Sequence, residues 1–131
     1  MPVQGPSEEP RWLVRLGVLP GTPALAALRT KIEVSLPELD AQVVADIQLV
    51  ATELVTNACL HGSPPVQFAL SGPSNGSPLR IEVSDRGAAL PQVRQPDPHE
   101  AHGRGLLLVD ASTVRWGVTT MSSGKIVWAE F

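Results

Sequence analysis

The segment from Ala41 to His61 constrains the fold most, because it contains no glycine or proline. Asp40 is a suitable helix N-cap, and Gly62 is a suitable stop signal. The apolar residues between them recur at helical spacing on one side: Ile47, Val50, Ala51, Leu54 and Ala58. One long helix is therefore predicted. The 11 glycines and 13 prolines of the chain then mark turns and loops around it.

The segments before this helix predict a strand and a shorter helix. Residues 11–19 are short and rich in β-branched residues, and Pro20-Gly21 closes them, which favours a strand. Thr22 is a predicted N-cap with Pro23 at the first helical position. The helix runs through about Leu36, before Pro37.

The segments after the long helix predict strands and one more helix. Residues 66–70 and 79–84 alternate apolar and polar side chains, as half-buried strands do. Residues 105–112 predict a short helix, and residues 114–120 and 125–131 predict a final hairpin. Trp116 and Trp128 fall on these two strands and are expected to be cross-strand partners in the core.

The resulting order, β-α-α-β-β-loop-α-β-β, predicts an α+β fold. We expect a two-layer α/β sandwich with a mixed, mostly antiparallel sheet and helices on one face. With 43% hydrophobic and 18% charged residues, residues 11–131 are expected to form one domain after a polar tail over residues 1–10.

Composition also narrows the function classes. A net charge of −3 argues against a broad basic surface for nucleic acid. The single cysteine, Cys59, provides no disulfide framework. We find no signal peptide and no apolar run near the roughly 18 residues of a membrane span. The sequence therefore predicts a cytoplasmic protein without membrane or direct nucleic-acid partners.

Three segments have residue types that suit chemistry. Glu53, Asn57 and His61 are four residues apart and share one helix face, where they could form an ordinary solvated surface. A carboxylate one turn from a carboxamide also supplies the hard oxygens that Mg²⁺ prefers and a proton acceptor for a reacting hydroxyl.

The second segment ends a predicted strand with Asp85, followed by Gly87. This pattern is typical of an ordinary turn, but the acid could also accept a hydrogen bond from an exocyclic amine. The third segment, Gly103-Arg104-Gly105, opens a helix and could form either a hinge or a phosphate-binding turn.

In this order and spacing, the three segments resemble the sequence boxes of the GHKL (Bergerat-fold) ATPase superfamily. The matching patterns are Glu53-x-x-x-Asn57, Asp85-x-Gly87 and Gly103-x-Gly105-Leu106. Two further stretches are similar to the histidine-kinase-like domains of anti-sigma-factor serine/threonine kinases. They are the motif Glu-Leu-Val-Thr-Asn-Ala-x-x-His-Gly and the tail with Trp116-Gly117-Val118 and Gly124-Lys125.

The resemblance implies a role for each matching residue. Asn57 would ligate Mg²⁺ on the phosphates of ATP, and Glu53 would be catalytic by orienting or deprotonating the attacking hydroxyl. The remaining cofactor-binding residues would be Asp85 at the adenine amino group, Gly87 in the base pocket, and Gly103, Arg104, Gly105 and Leu106 in the second glycine box. The implied partners are a sigma factor and an anti-sigma antagonist whose serine is phosphorylated, and the family also suggests a homodimer.

Two departures from the family pattern leave a second function open. The first glycine box continues with Ala88-Ala89-Leu90 where a further glycine is usual, and the segment before Gly103 is short and contains three prolines. Both features favour the alternative of a non-catalytic, nucleotide-gated switch that regulates transcription through protein contacts.

Overall fold

A computed structural model describes residues 11–19, 22–73, 78–88 and 105–131, which together contain five strands and three helices. In chain order these are β1 (Arg11–Val18), α1 (Thr22–Ser35), α2 (Ala41–His61), β2 (Val66–Gly72), β3 (Arg80–Asp85), α3 (Gly105–Ser112), β4 (Arg115–Met121) and β5 (Gly124–Glu130). The predicted order is confirmed. Most bounds shift by one or two residues, and α1 includes Thr22, which was predicted to precede it.

The five strands form one sheet in the order β1-β2-β3-β5-β4. Every neighbouring pair of these described strands is antiparallel. The strand β5 follows β4 in sequence but lies between β3 and β4 in the sheet. The predicted α+β sandwich is confirmed.

The ends of α2 are set by the predicted residues. The Asp40 carboxylate accepts a hydrogen bond from the Gln42 N–H at 2.8 Å and so satisfies one of the free donors of the first turn. At the other end the Gly62 N–H donates to the Ala58 carbonyl at 2.9 Å. Gly62 has an extended backbone, with φ of −93°, and leads the chain directly away from the helix.

The apolar face of α2 is a large part of the hydrophobic core. Its buried residues are Val44, Ile47, Val50, Ala51, Leu54, Val55 and Ala58. Fully burying a Val, Leu or Ile side chain contributes about 1.5–3 kcal/mol. By length and composition α2 could also cross a membrane, contrary to the sequence expectation, but a core helix meets the same test, and this face packs within the core.

The two faces of the sheet differ in their environment. On β3, Ile81, Val83 and Asp85 are buried, whereas the alternate residues are only half-buried. In the β2–β3 register Phe68 lies opposite Val83, and both side chains are almost fully buried. The helices therefore cover one face, and the other face is open to solvent. Asp85 is on the covered face.

The two tryptophans of the final hairpin lie on opposite faces of the sheet. Trp116 packs against the core, and its Nε1 donates to Asp110 at 3.0 Å. Trp128 is on the open face, where the Arg80 and Arg115 guanidiniums lie 4.5 and 5.6 Å from its ring centroid. The prediction that they are cross-strand partners in the core is wrong, because the register offsets them by one residue.

Glu130 joins these two arginines on the open face. Its Oε2 accepts from Arg80 Nη1 at 3.1 Å, and its Oε1 accepts from Arg115 Nε. The hydrogen bond from Arg115 is the largest of several effects that together lower the pKa of Glu130, although burial opposes it. The carboxylate of Glu130 is therefore stabilised by two cations.

Candidate functional site

The centre of the site is the carboxylate of Asp85, at the last position of β3. Its side chain is fully buried. Its Oδ1 accepts from the Gly87 N–H at 2.6 Å, from the Ser63 N–H at 3.3 Å and from Lys125 Nζ at 2.9 Å. These donors come from three separate parts of the chain: the turn after β3, the turn after α2 and the start of β5. The fold therefore converges on one oxygen of Asp85.

The other oxygen of Asp85, Oδ2, is buried and has no hydrogen-bond partner among the described residues. A buried acceptor without a partner costs about 1–3 kcal/mol. An ionised carboxylate can only accept hydrogen bonds, so Oδ2 suits a ligand group that donates. An exocyclic amino group such as that of adenine has this chemistry, and this acceptor therefore suits an adenine base.

Glycines allow the chain to pack closely around this carboxylate. A Cβ atom at Gly62 would lie 2.5 Å from Asp85 Cγ and 2.6 Å from the Ala58 carbonyl oxygen. Gly124 has a φ of +145°, and a Cβ there would overlap the backbone carbonyl oxygen of Asp85. At both positions only hydrogen leaves enough room. At these two positions the carboxylate and its backbone are therefore enclosed by glycine backbone.

Lys125 is the cationic partner of Asp85. It lies directly opposite Asp85 in the β3–β5 register, on the face covered by the helices. Its side chain is 6% exposed, and its Nζ lies 3.5 Å from the Gly87 carbonyl oxygen as well as 2.9 Å from Asp85 Oδ1. The positive charge of the ammonium thus balances the buried negative charge.

The predicted residues Glu53 and Asn57 lie on α2, upstream of the Gly62 turn that contacts Asp85. Both residues are half-buried. At about 100° per residue, Asn57 is on the opposite side of α2 from Gln48, whose side chain donates to a carbonyl of α1. The pair therefore faces away from α1. Asn57 is five residues before Gly62, about 7.5 Å along the helix axis. His61, predicted on the same face, is exposed.

The second glycine box is described only in part. Gly105 is the first residue of α3, and Leu106 is buried in the core. Gly103 and Arg104 lie outside the described residues, as do the three prolines of the preceding segment. Among the described residues no group of three or more His, Cys, Asp or Glu side chains could hold a metal. A Mg²⁺ ion held by Asn57 would take its other ligands from water and from phosphate oxygens.

The sequence interpretation missed the Lys125 ion pair and the packing role of Gly62. One signal was present in the sequence. On β5, Lys125, Val127 and Ala129 share one face, and Lys125 is the only charged residue at an inward position of that strand. A lone lysine in the buried series of a strand requires a partner.

One comparison with known proteins identifies the family. The model of the histidine kinase-like ATPase domain family matches residues 21–131, which include every described element except β1. No curated protein matches the chain significantly. The matched region contains both α2 and the Asp85 site, and it accounts for most of the chain. The protein therefore belongs to the histidine kinase-like ATPase domain family, whose members bind ATP.

Proposed function

We propose that this protein is an anti-sigma-type serine kinase. It would bind ATP with Mg²⁺, hold a sigma factor inactive and phosphorylate a serine on an antagonist of that interaction. The unpartnered Oδ2 of Asp85 is the observation that best supports the nucleotide part of this proposal. Membership of the family supports ATP binding as well. The protein partners rest on the resemblance of the motifs alone.

In this proposal the base is recognised at Asp85. The amino group of adenine donates to Oδ2, while the backbone at Gly87 lies beside the ring. Oδ1 cannot take this role because three donors already occupy it. The site selects bases by the direction of one hydrogen bond, since a donor is accepted and an acceptor is repelled.

The phosphates extend toward α2 in this proposal. The Asn57 carboxamide oxygen is a ligand for Mg²⁺, which neutralises charge on the phosphates. Gly103, Arg104 and Gly105 are the proposed contacts to phosphate oxygens, with Leu106 supporting the helix that follows.

Glu53 is the proposed catalytic residue. Its carboxylate accepts the proton of the substrate serine as the serine oxygen forms a bond to the γ-phosphorus. The bond from that phosphorus to the bridging oxygen breaks, and ADP leaves. Little further covalent chemistry is required, because phosphoryl transfer depends mainly on positioning and charge neutralisation.

The tests are nucleotide titration and phosphoryl transfer. Titration calorimetry with Mg-ATP should detect binding, and labelled γ-phosphate should appear on a serine of a candidate antagonist from the source organism. Glu53→Gln should retain ATP binding and lose transfer by at least about 100-fold. The matched control, Glu33→Gln, changes an exposed acid on α1 and should retain both.

The possible outcomes separate the candidate functions. Absence of binding at millimolar Mg-ATP would contradict the proposal. Tight binding without transfer to any antagonist would favour the alternative, a nucleotide-gated switch. Cytoplasmic location, dimerisation and the absence of membrane and nucleic-acid partners remain proposals that fractionation and light scattering can test.

A further inference from the structure

The ion pair between Lys125 and Asp85 is unusual in its burial. The side chains are 6% and 0% exposed, and Nζ and Oδ1 are 2.9 Å apart. Removing two charges from water is costly, and a neutral pair of similar volume often gives equal or greater stability. The pair is thus poorly explained by stability alone.

The geometry indicates what the pair does to the carboxylate. Lys125 and the backbone donors of Ser63 and Gly87 all approach Oδ1. The carboxylate is therefore fixed in orientation, and Oδ2 is the oxygen that has no partner among the described residues. An ionised carboxylate accepts hydrogen bonds and cannot donate them. The positive charge of Lys125 compensates the negative charge of Asp85 in this ionised form.

We propose that Lys125 is a positioning residue that sets base selectivity, by holding Asp85 as a fixed, charge-balanced acceptor for the amino group of a purine. This inference rests on the proposed function, since it assumes that the nucleotide base binds at Asp85. It adds a role for Lys125 in how strongly the site rejects a base with a keto group. A purine with a keto oxygen in place of the amino group would place one hydrogen-bond acceptor against another, Asp85 Oδ2.

The probe pair is ATP and ITP, which differ in having an amino or a keto group at that position. In the wild-type protein we expect ATP to bind about 10- to 100-fold more tightly than ITP, because a mismatched buried acceptor costs about 1–3 kcal/mol. Both dissociation constants are measured by titration calorimetry with Mg²⁺ present.

The test variant is Lys125→Met, which retains similar volume and removes the charge and the donor. We expect weaker ATP binding and a ratio of ITP to ATP dissociation constants at least about fivefold below the wild-type ratio. Lys125→Arg, which restores a cation and a donor, should recover most of the ratio. If Lys125→Met does not fold, Lys125→Gln removes the charge with a smaller loss of hydrogen bonding, and its ratio should also fall.

The matched control is Arg80→Met on the open face, which removes a strand cation paired with Glu82 at 3.0 Å and with Glu130 at 3.1 Å. Its thermal stability should fall, while its ratio of ITP to ATP dissociation constants stays at the wild-type value. A wild-type ratio in a folded Lys125→Met or Lys125→Gln protein that binds ATP would overturn the role of Lys125. Failure of the wild-type protein to bind either nucleotide would instead overturn the proposed function.

Discussion

Replacing Gly62 by alanine tests the close packing of backbone around Asp85. The φ of −93° is accessible to alanine, so backbone conformation alone predicts a gain of about 0.4–1 kcal/mol from the less flexible unfolded chain. The added Cβ, however, would lie 2.5 Å from Asp85 Cγ and 2.6 Å from the Ala58 carbonyl oxygen. Such overpacking typically costs about 1–3 kcal/mol. The close contact of the added Cβ should therefore turn the expected gain in stability into a loss.

The expected net result is a loss of about 1–2 kcal/mol in the free energy of unfolding, or a Tm lower by roughly 4–8 °C. Because the clash displaces the acceptor, the affinity for Mg-ATP should also fall. Thermal denaturation and titration calorimetry measure the two effects. The control is Gly17→Ala, where a Cβ meets nothing within 4 Å and stability should stay equal or rise. A Gly62→Ala protein as stable as wild type with unchanged ATP affinity would refute the reasoning.

Three further predictions concern charge, backbone and thiol chemistry. Since its neighbours lower the pKa of Glu130 in the folded protein, the stability that this carboxylate contributes is present at pH 7 and is lost as the pH falls through that lowered value. In urea denaturation, Glu130→Gln should thus have a lower free energy of unfolding than the wild type at pH 7, and this difference should shrink at pH 3. An equal difference at both pH values would argue against the ion-pair account. Gly124→Ala should lower stability by at least about 2 kcal/mol in the same assay, because it combines positive φ with overlap onto Asp85, and a neutral effect would contradict the observed turn. Burial raises the pKa of the Cys59 thiol, so its reaction with a disulfide reagent at pH 8 should be slower than in the urea-unfolded chain, and equal rates would contradict that environment.

The fold could be predicted because its signals are local. The cap at Asp40, the run to His61 and the alternation in β3 each depend on neighbours in sequence. The register of the final hairpin was not predictable in this way. A shift of one residue moves a side chain to the other face, and that is why Trp116 and Trp128 were wrongly assigned to the same core.

The sequence named candidate site residues but did not give the contacts between them. The resemblance to the GHKL superfamily implied that Asp85 is the base acceptor, and its Oδ2, buried and without a partner among the described residues, is compatible with that role. Lys125 is 40 residues away in sequence and becomes its neighbour only through the pairing of β3 with β5. The role of Gly62 likewise depends on tertiary packing, because a Cβ at this position would come nearest to Asp85. Residues far apart in sequence need the sheet order before their charges can be matched.

The position of β5 in the sheet has a consequence for the order in which the protein can fold during synthesis. β3 and β4 leave the ribosome before the strand that joins them, so β4 has no strand partner until residues 124–130 are available. An amino-terminal fragment that includes Asp85 and stops before Gly124 lacks the lysine that pairs with this carboxylate. The ability to bind a nucleotide should therefore appear in one step, when the inserted strand closes the sheet, and should not grow gradually with chain length.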